Sequence, residues 1–299
     1  MATLREIRGR IGGVKKTQKI TNAMKMVAAA KLRRAQSNMM AARPYAKRIK
    51  ELLAYLSNSI DVTSNPLIAP RELRGVAVIV VTSDRGLCGA FNSNVIKTAM
   101  NHINSQYAAL LKDGKVKVFC VGKKGSDVFA KRGFNIGGKY IGVYNDLVFG
   151  QAQSIAREVI KGYLQGEYDM VEIVSNEFKS VAQPRIVVEQ FLPIPREVNG
   201  DEIPQTSPAS GVDYIFEPTQ IEIVNALVPR HLNFRIWKIL LESYAAEQGA
   251  RMAAMENATE NANEMISSLQ LAYNKARQAA ITKELLEVVG GAEALKKAG

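Results

Sequence analysis

Apolar residues at Leu4, Ile7, Ile11 and Val14 recur at intervals of three and four, the seam of a coiled coil. The same register next meets Gln18, Thr21 and Lys25, so the stripe is expected to break or to shift to Ile20, Met24 and Val27. Ala28, Ala29 and Ala30 follow and favour a slender helix. Pro44 is expected to kink or restart this helix, which runs to about Ser57-Asn58.

A longer pattern occupies the other end of the chain. Met255, Ala258, Ala262, Met265, Leu269, Ala272, Ala276 and Ala279 again alternate by three and four. Between His231 and Val289 there is no proline and only one glycine, Gly249, so one very long helix is predicted. Its seam of alanine and methionine would let a partner helix approach closely.

The middle has a different texture. Gly75–Val81 reads as a buried strand, Asn92–Leu111 as a helix, Val116–Val121 as a second strand and Leu147–Leu164 as a helix. Met170–Val174 and Arg185–Leu192 complete the strands, and Pro193–Pro218 reads as a loop-rich connection. Alternating strands and helices predict a partly parallel sheet. The fold expected is therefore α/β: a long antiparallel coiled coil of N- and C-terminal helices with an inserted Rossmann-like α/β domain. Its expected divisions are an N-terminal helix over 1–58, a globular domain over 75–195, a connecting loop over 196–220 and a C-terminal helix over 221–299.

Charge changes the picture more than composition does. Residues 1–51 hold fourteen Lys or Arg against Glu6 and Glu51, and the rest of the chain is balanced, so the whole net charge of +12 lies in that segment. Such a segment calls for an acidic partner: nucleic acid, anionic lipid or an acidic protein surface. Tyr45 and Tyr55 are the only aromatics before Asn58, which disfavours a nucleic-acid arm, and no broad apolar face with bulky aromatics marks a membrane-surface helix. No apolar run is long enough to cross a bilayer, and the first residues lack the apolar core of a signal peptide. Two cysteines, Cys88 and Cys120, and two histidines, His102 and His231, exclude a disulfide scaffold and leave little for a zinc site.

The candidate chemical motifs are weak. Gly133–Tyr140 approaches the phosphate loop G-x-x-x-x-G-K-[ST], but Tyr140 stands where a magnesium-binding hydroxyl is required, so a glycine-rich turn is expected. Thr82–Asn92 follows a strand and leads into a helix, where α/β folds bind ligands, yet its glycines do not match G-x-G-x-x-G. A structural turn with Asn92 or Ser93 capping the helix is expected, with Cys88 a buried thiol. His102 and His231 read as surface or capping residues. No catalytic, cofactor-binding or metal-ligating set is expected.

Three segments carry a resemblance. Ile20–Lys31 (ITNAMKMVAAAK), Ser83–Gly89 (SDRGLCG) and Tyr273–Ala292 (YNKARQAAITKELLEVVGGA) resemble the gamma subunits of F-type ATP synthases, over essentially the whole chain. The resemblance implies a non-catalytic rotor shaft without cofactor. Ion-driven rotation of a membrane ring would turn it and so couple to ATP synthesis or hydrolysis in a catalytic hexamer. The implied partners are the alpha and beta subunits, the epsilon subunit and the membrane proteolipid ring, with no nucleic acid and no direct membrane span. The implied place is peripheral, on the cytoplasmic face of a bacterial plasma membrane. Carried over by position, Arg277 and Gln278 match a latch against a beta-subunit loop, and Met24, Lys25 and Thr282 match further beta contacts. Lys31, Arg33 and Arg34 match contact with an acidic beta loop, and Tyr214 and Glu217 match contact with the proteolipid ring. Asn199–Gly211 lacks the cysteine pair of chloroplast relatives, so thiol switching of that kind is not expected. The competing readings are a coiled-coil nucleic-acid-binding protein, favoured by the basic charge, and a dinucleotide enzyme, favoured only by the α/β texture.

Overall fold

Six consecutive β-favouring residues form β1 (Val76–Val81), and every one of them is buried. A strand that is apolar on both faces needs cover on both, which places it in the middle of a sheet. The computed structural model describes residues 3–59, 65–178, 180, 184–195, 217 and 219–298. In chain order these form α1 (Leu4–Ser59), β1, α2 (Phe91–Gln106), α3 (Ala108–Lys112), β2 (Val116–Val121), α4 (Lys123–Lys131), β3 (Asn135–Tyr140), α5 (Phe149–Leu164), β4 (Met170–Phe178), β5 (Pro184–Leu192) and α6 (Gln220–Ala298). Two compact units result, Met1–Ala28 with Met252–Gly299, and Ala29–Arg251.

In the larger unit the sheet order is β3-β2-β1-β4-β5. The first four strands are parallel, and β5 pairs antiparallel with β4. Alternation within each strand sorts side chains to two faces. Ala77, Ile79, Val81, Phe119 and Ile173 meet α5 through Ile155 and Val159, and α6 through Val228, Leu232 and Leu240. Val76, Val78, Val80, Val118 and Cys120 meet α2 through Val95, Ala99 and Ile103. Each buried aliphatic of this kind contributes about 1.5–3 kcal/mol relative to exposure.

Three local expectations need correction. The turn expected over Gly133–Tyr140 is confined to its start at Gly133: Asn135–Tyr140 is strand β3. Its glycines serve packing, because a Cβ on Gly137 would lie 2.7 Å from the Phe119 ring and one on Gly138 would lie 2.9 Å from it. The helix expected over Asn92–Leu111 is two, broken at Tyr107. Neither Asn92 nor Ser93 caps α2; Ala90 holds that position without a side-chain bond.

In the smaller unit, α1 begins with a reciprocal capping box. Thr3 N–H donates to Glu6 Oε2 at 2.9 Å, and Glu6 N–H donates to Thr3 Oγ1 at 3.3 Å. The helix continues through Pro44 without the restart expected there, and α6 likewise contains Pro229. Within this unit the two helices run antiparallel, as four cross-helix contacts demonstrate. Arg8 donates to the Tyr273 hydroxyl at 2.8 Å and Gln18 to Asn263 Oδ1 at 3.1 Å. The Thr21 and Thr259 hydroxyls are 2.8 Å apart, and Lys25 is ion-paired with Glu256. Each step along α1 is matched, to within one residue, by a step in the opposite sense along α6.

That register corrects both seams. The α1 stripe does not shift: Ile20 and Val27 are 60% and 56% exposed, whereas Ile7, Thr21 and Ala28 are buried. The original spacing persists because polar side chains meet polar partners on the other helix. On α6 the expected Met255, Ala262, Leu269 and Ala276 do face inward. Alternate members move by one residue, to Thr259, Ile266, Tyr273 and Ala280, leaving Met265 54% exposed.

Candidate functional site

Three places bear on function. The first is the carboxyl edge of the sheet. Strand order reverses between β1 and β4, and open α/β sheets bind ligands in the crevice at that point. Here the crevice is filled by the chain itself. Arg251 on α6 donates to the Gly86 carbonyl at 2.5 Å and to Glu247 at 2.5 Å. Ala246 and Ala250 of α6 pack with Cys88, Phe91 and Phe178.

The backbone donors that would hold a phosphate are also occupied. Asp84 Oδ1 accepts the N–H groups of Lys123 and Gly142, both at 3.0 Å. Lys124 N–H donates to the Ser83 carbonyl, and Gly125 N–H to Thr82 Oγ1. Asn92 binds Ser83, accepting its N–H at 2.9 Å and donating to its hydroxyl at 2.8 Å. Leu87 takes a left-handed φ of 63° in this loop and is 67% exposed.

Charge is buried at the same place. Glu247 is 5% exposed, and burial pushes its carboxyl above the usual range, while adjacent Arg251 draws it down. Asp84 adds repulsion and Lys31 a weaker attraction. Sequence reasoning missed this cluster. Its available signal was an i,i+4 Glu–Arg pair, Glu247 and Arg251, directly after the small apolar residues Ala245 and Ala246. Burial also pushes Cys88 up, and Cys120 up to about 12, so both thiols are inert at neutral pH. His102 is not a plain surface residue: its Nε2 lies 2.6 Å from Glu172 in a half-buried pair. Among the described residues no group of three His, Cys, Asp or Glu could hold a metal ion.

The second place is the helix pair. Met24 is half-buried, and Lys25 directs its ammonium to Glu256 rather than outward. Farther along α1, in the larger unit, Lys31, Arg33 and Arg34 are exposed.

The third place is the far end of α6. The antiparallel register sets Arg277 opposite Leu4, the first residue of α1, so α6 continues past its partner. Arg277, Gln278 and Thr282 are exposed there. So are Ile281, Leu285, Leu286, Val288 and Val289, between 47% and 70%. An apolar stripe of this size on a lone helix marks a surface that another protein covers. Glu217 is exposed, and Tyr214 lies outside the described residues. No described helix is long and apolar enough to cross a membrane.

A paired-helix body, a Rossmann-like sheet whose carboxyl edge packs against α6 and an exposed apolar helix end point to a protein that works by contact with other chains. The comparisons agree. Residues 3–295 match the family model described as ATP synthase. The ATP synthase gamma chain of Chloroherpeton thalassium is 53% identical, covering 99% of both chains. That of Chlorobaculum tepidum is 54% identical over 99% of this chain and 100% of its own. A chain of the Euglena gracilis mitochondrial ATP synthase (OSCP/F1/c-ring, rotational state 3) shares the fold with a TM-score of 0.66 at 20% identity, covering 98% of this chain and 94% of that one. A chain of the Tetrahymena thermophila central stalk and c-ring does so at 0.59 and 23%, covering 80% and 99%.

The chain belongs to the ATP synthase gamma-chain family. Its role is that of the central rotor shaft, a non-catalytic subunit. The nucleic-acid-binding alternative finds no support.

Proposed function

We propose that the paired segments of α1 and α6 turn inside a hexamer of alternating alpha and beta subunits. The observation carrying this reading is the end of α6, where five large aliphatics stand exposed beyond the last residue that α1 can cover. Arg277 and Gln278 sit at the start of that bare stretch. Both side chains offer several directional donors, which suits a latch on a beta-subunit loop. Thr282 lies one turn farther along, and Met24 makes a beta contact from α1. Lys31, Arg33 and Arg34 keep exposed cations for an acidic beta loop. Lys25 contributes less outward charge, since Glu256 holds its ammonium.

The α/β domain meets the epsilon subunit and the proteolipid ring, with Tyr214 and Glu217 contributing to the ring contact. The complex sits on the cytoplasmic face of a bacterial plasma membrane. Rotation of the ring turns the helix pair, and its uneven surface drives each beta subunit through successive nucleotide states. Gel filtration with purified alpha and beta subunits tests the reading. Stoichiometric co-elution is expected. Steeply salt-dependent DNA binding without co-elution would overturn it in favour of a nucleic-acid role.

A further inference from the structure

In the larger unit a groove of about 410 Å³ lies between the C-terminal half of α5 and the early turns of α6. Arg157, Ile160, Lys161 and Leu164 line one side, and Pro229 and Asn233 the other. The α5 residues follow i, i+3, i+4, i+7 spacing and so form one continuous stripe. Leu164 is 49% exposed although it belongs to that stripe. The accessible wall is mostly apolar although Arg157, Lys161, Gln165 and Asn233 belong to it, and both cations are exposed, as expected where long side chains line a groove with their methylenes.

Neither cation has an ion pair among the described residues. The acid beside them on α5, Glu158, accepts the Tyr140 hydroxyl at 2.6 Å. Two adjacent helices leave a crease that a third helix can enter with a ridge of side chains. Arg157 and Lys161 stand one turn apart on one edge of it, about 6 Å between Cβ atoms. Carboxylates at i and i+4 of an opposing helix have the same spacing.

We propose that this groove docks a short amphipathic helix of another subunit, with an apolar ridge in the crease and two acidic residues, one turn apart, over Arg157 and Lys161. This goes beyond the shaft reading, which assigns nothing to the groove.

The test places a p-benzoylphenylalanine photoprobe at position 164 in the assembled ATP synthase and, in a separate preparation, at position 278. Mass spectrometry then identifies the joined peptide. The expected product at 164 is one subunit, joined within a helical segment bearing two acids four residues apart. Arg157→Glu with Lys161→Glu should lower its yield about tenfold, and changing the two acids to lysine should restore it. A lipid adduct, a partner segment without acids, no product, or a yield indifferent to charge reversal would each overturn the proposal. If the double variant does not assemble, the wild-type complex in molar salt serves instead, and an unchanged yield there overturns it equally. A beta-subunit product at 278 with none at 164 rejects the groove alone. Absence at both positions rejects the shaft reading as well.

Discussion

The hydroxyl oxygens of Thr21 and Thr259 lie 2.8 Å apart, joining α1 to α6 at a position where both seams would otherwise carry apolar side chains. Each hydroxyl is also placed to donate to a carbonyl of its own helix, Thr21 to Gln18 at 3.0 Å and Thr259 to Met255 at 2.8 Å. Two protons serve three contacts, so one hydroxyl bonds its own helix while the other crosses. Thr21→Val keeps the shape and removes the crossing bond, while Thr259 retains Met255. The expected loss is about 1 kcal/mol, read as a shift in urea midpoint. A loss several times larger would mean that the pair does more than bridge the helices.

Arg251 is the adjacent cation for buried Glu247 and also holds the Gly86 carbonyl. Arg251→Ala strands that carboxylate and should lower stability by about 3 kcal/mol. Arg251→Lys should recover part of this, because one ammonium cannot span both partners as the guanidinium does. Equal midpoints for wild type and Arg251→Ala in thermal unfolding would contradict this account.

Glu247 also sets a pH dependence. Burial raises its carboxyl above 4.5, the ordinary value, so between the two pKa values the folded chain holds a proton that the unfolded chain has released. The group's contribution is complete below pH 4.5 and is lost as pH rises through the folded value. Glu247→Gln removes the titration. Urea midpoints of the two proteins, compared from pH 4.5 to pH 8, should show the wild type losing ground to the variant as pH rises. Parallel profiles would sink the argument.

Gly122 has φ +89°, and a Cβ there would lie 2.1 Å from the Thr82 carbonyl oxygen. That close approach ties the end of β2 to the loop after β1, next to the Asp84 bonds. Gly122→Ala combines a strained φ with a backbone clash and should lower stability by at least about 2 kcal/mol. Calorimetry on the purified variant checks it; an unchanged midpoint would show that the two loops part easily.

Arg277→Ala with Gln278→Ala leaves the helix pair untouched, since both side chains are exposed and neither bonds α1. If they form the proposed latch, ATP turnover of the assembled complex should fall much further than the yield of complex. Turnover equal to wild type would place the latch elsewhere.

Legibility from the sequence followed the range of the interactions. β1, β2 and both terminal helices were readable because local periodicity and branched residues determine them. β3 was hidden: Gly137 and Gly138 are strand residues only because Phe119, from β2, takes up their space. The seams were half right for a similar reason. Spacing alone did not favour Thr259 over Ala258, or Thr21 over Ile20, until the opposing helix supplied the partner. Lys25 illustrates the limit on the site, because its partner Glu256 lies 231 positions away. Exposure of Arg277 and Gln278 likewise depends on where α1 begins, which the α6 sequence does not contain.

The pairing of α1 with α6 also governs when the molecule can be finished. Arg8 meets Tyr273 across a separation of 265 positions, so the ribosome must deliver all of the intervening chain before the first helix finds its mate. At about 5–20 residues per second that interval is on the order of ten seconds to a minute. Throughout it the seam at Ile7, Thr21 and Ala28 has no native cover, while the central sheet, made of nearer neighbours in sequence, can already assemble. The growing chain can thus acquire its sheet well before its helix pair, with a basic, half-apolar helix left in the interim for chaperones to shield.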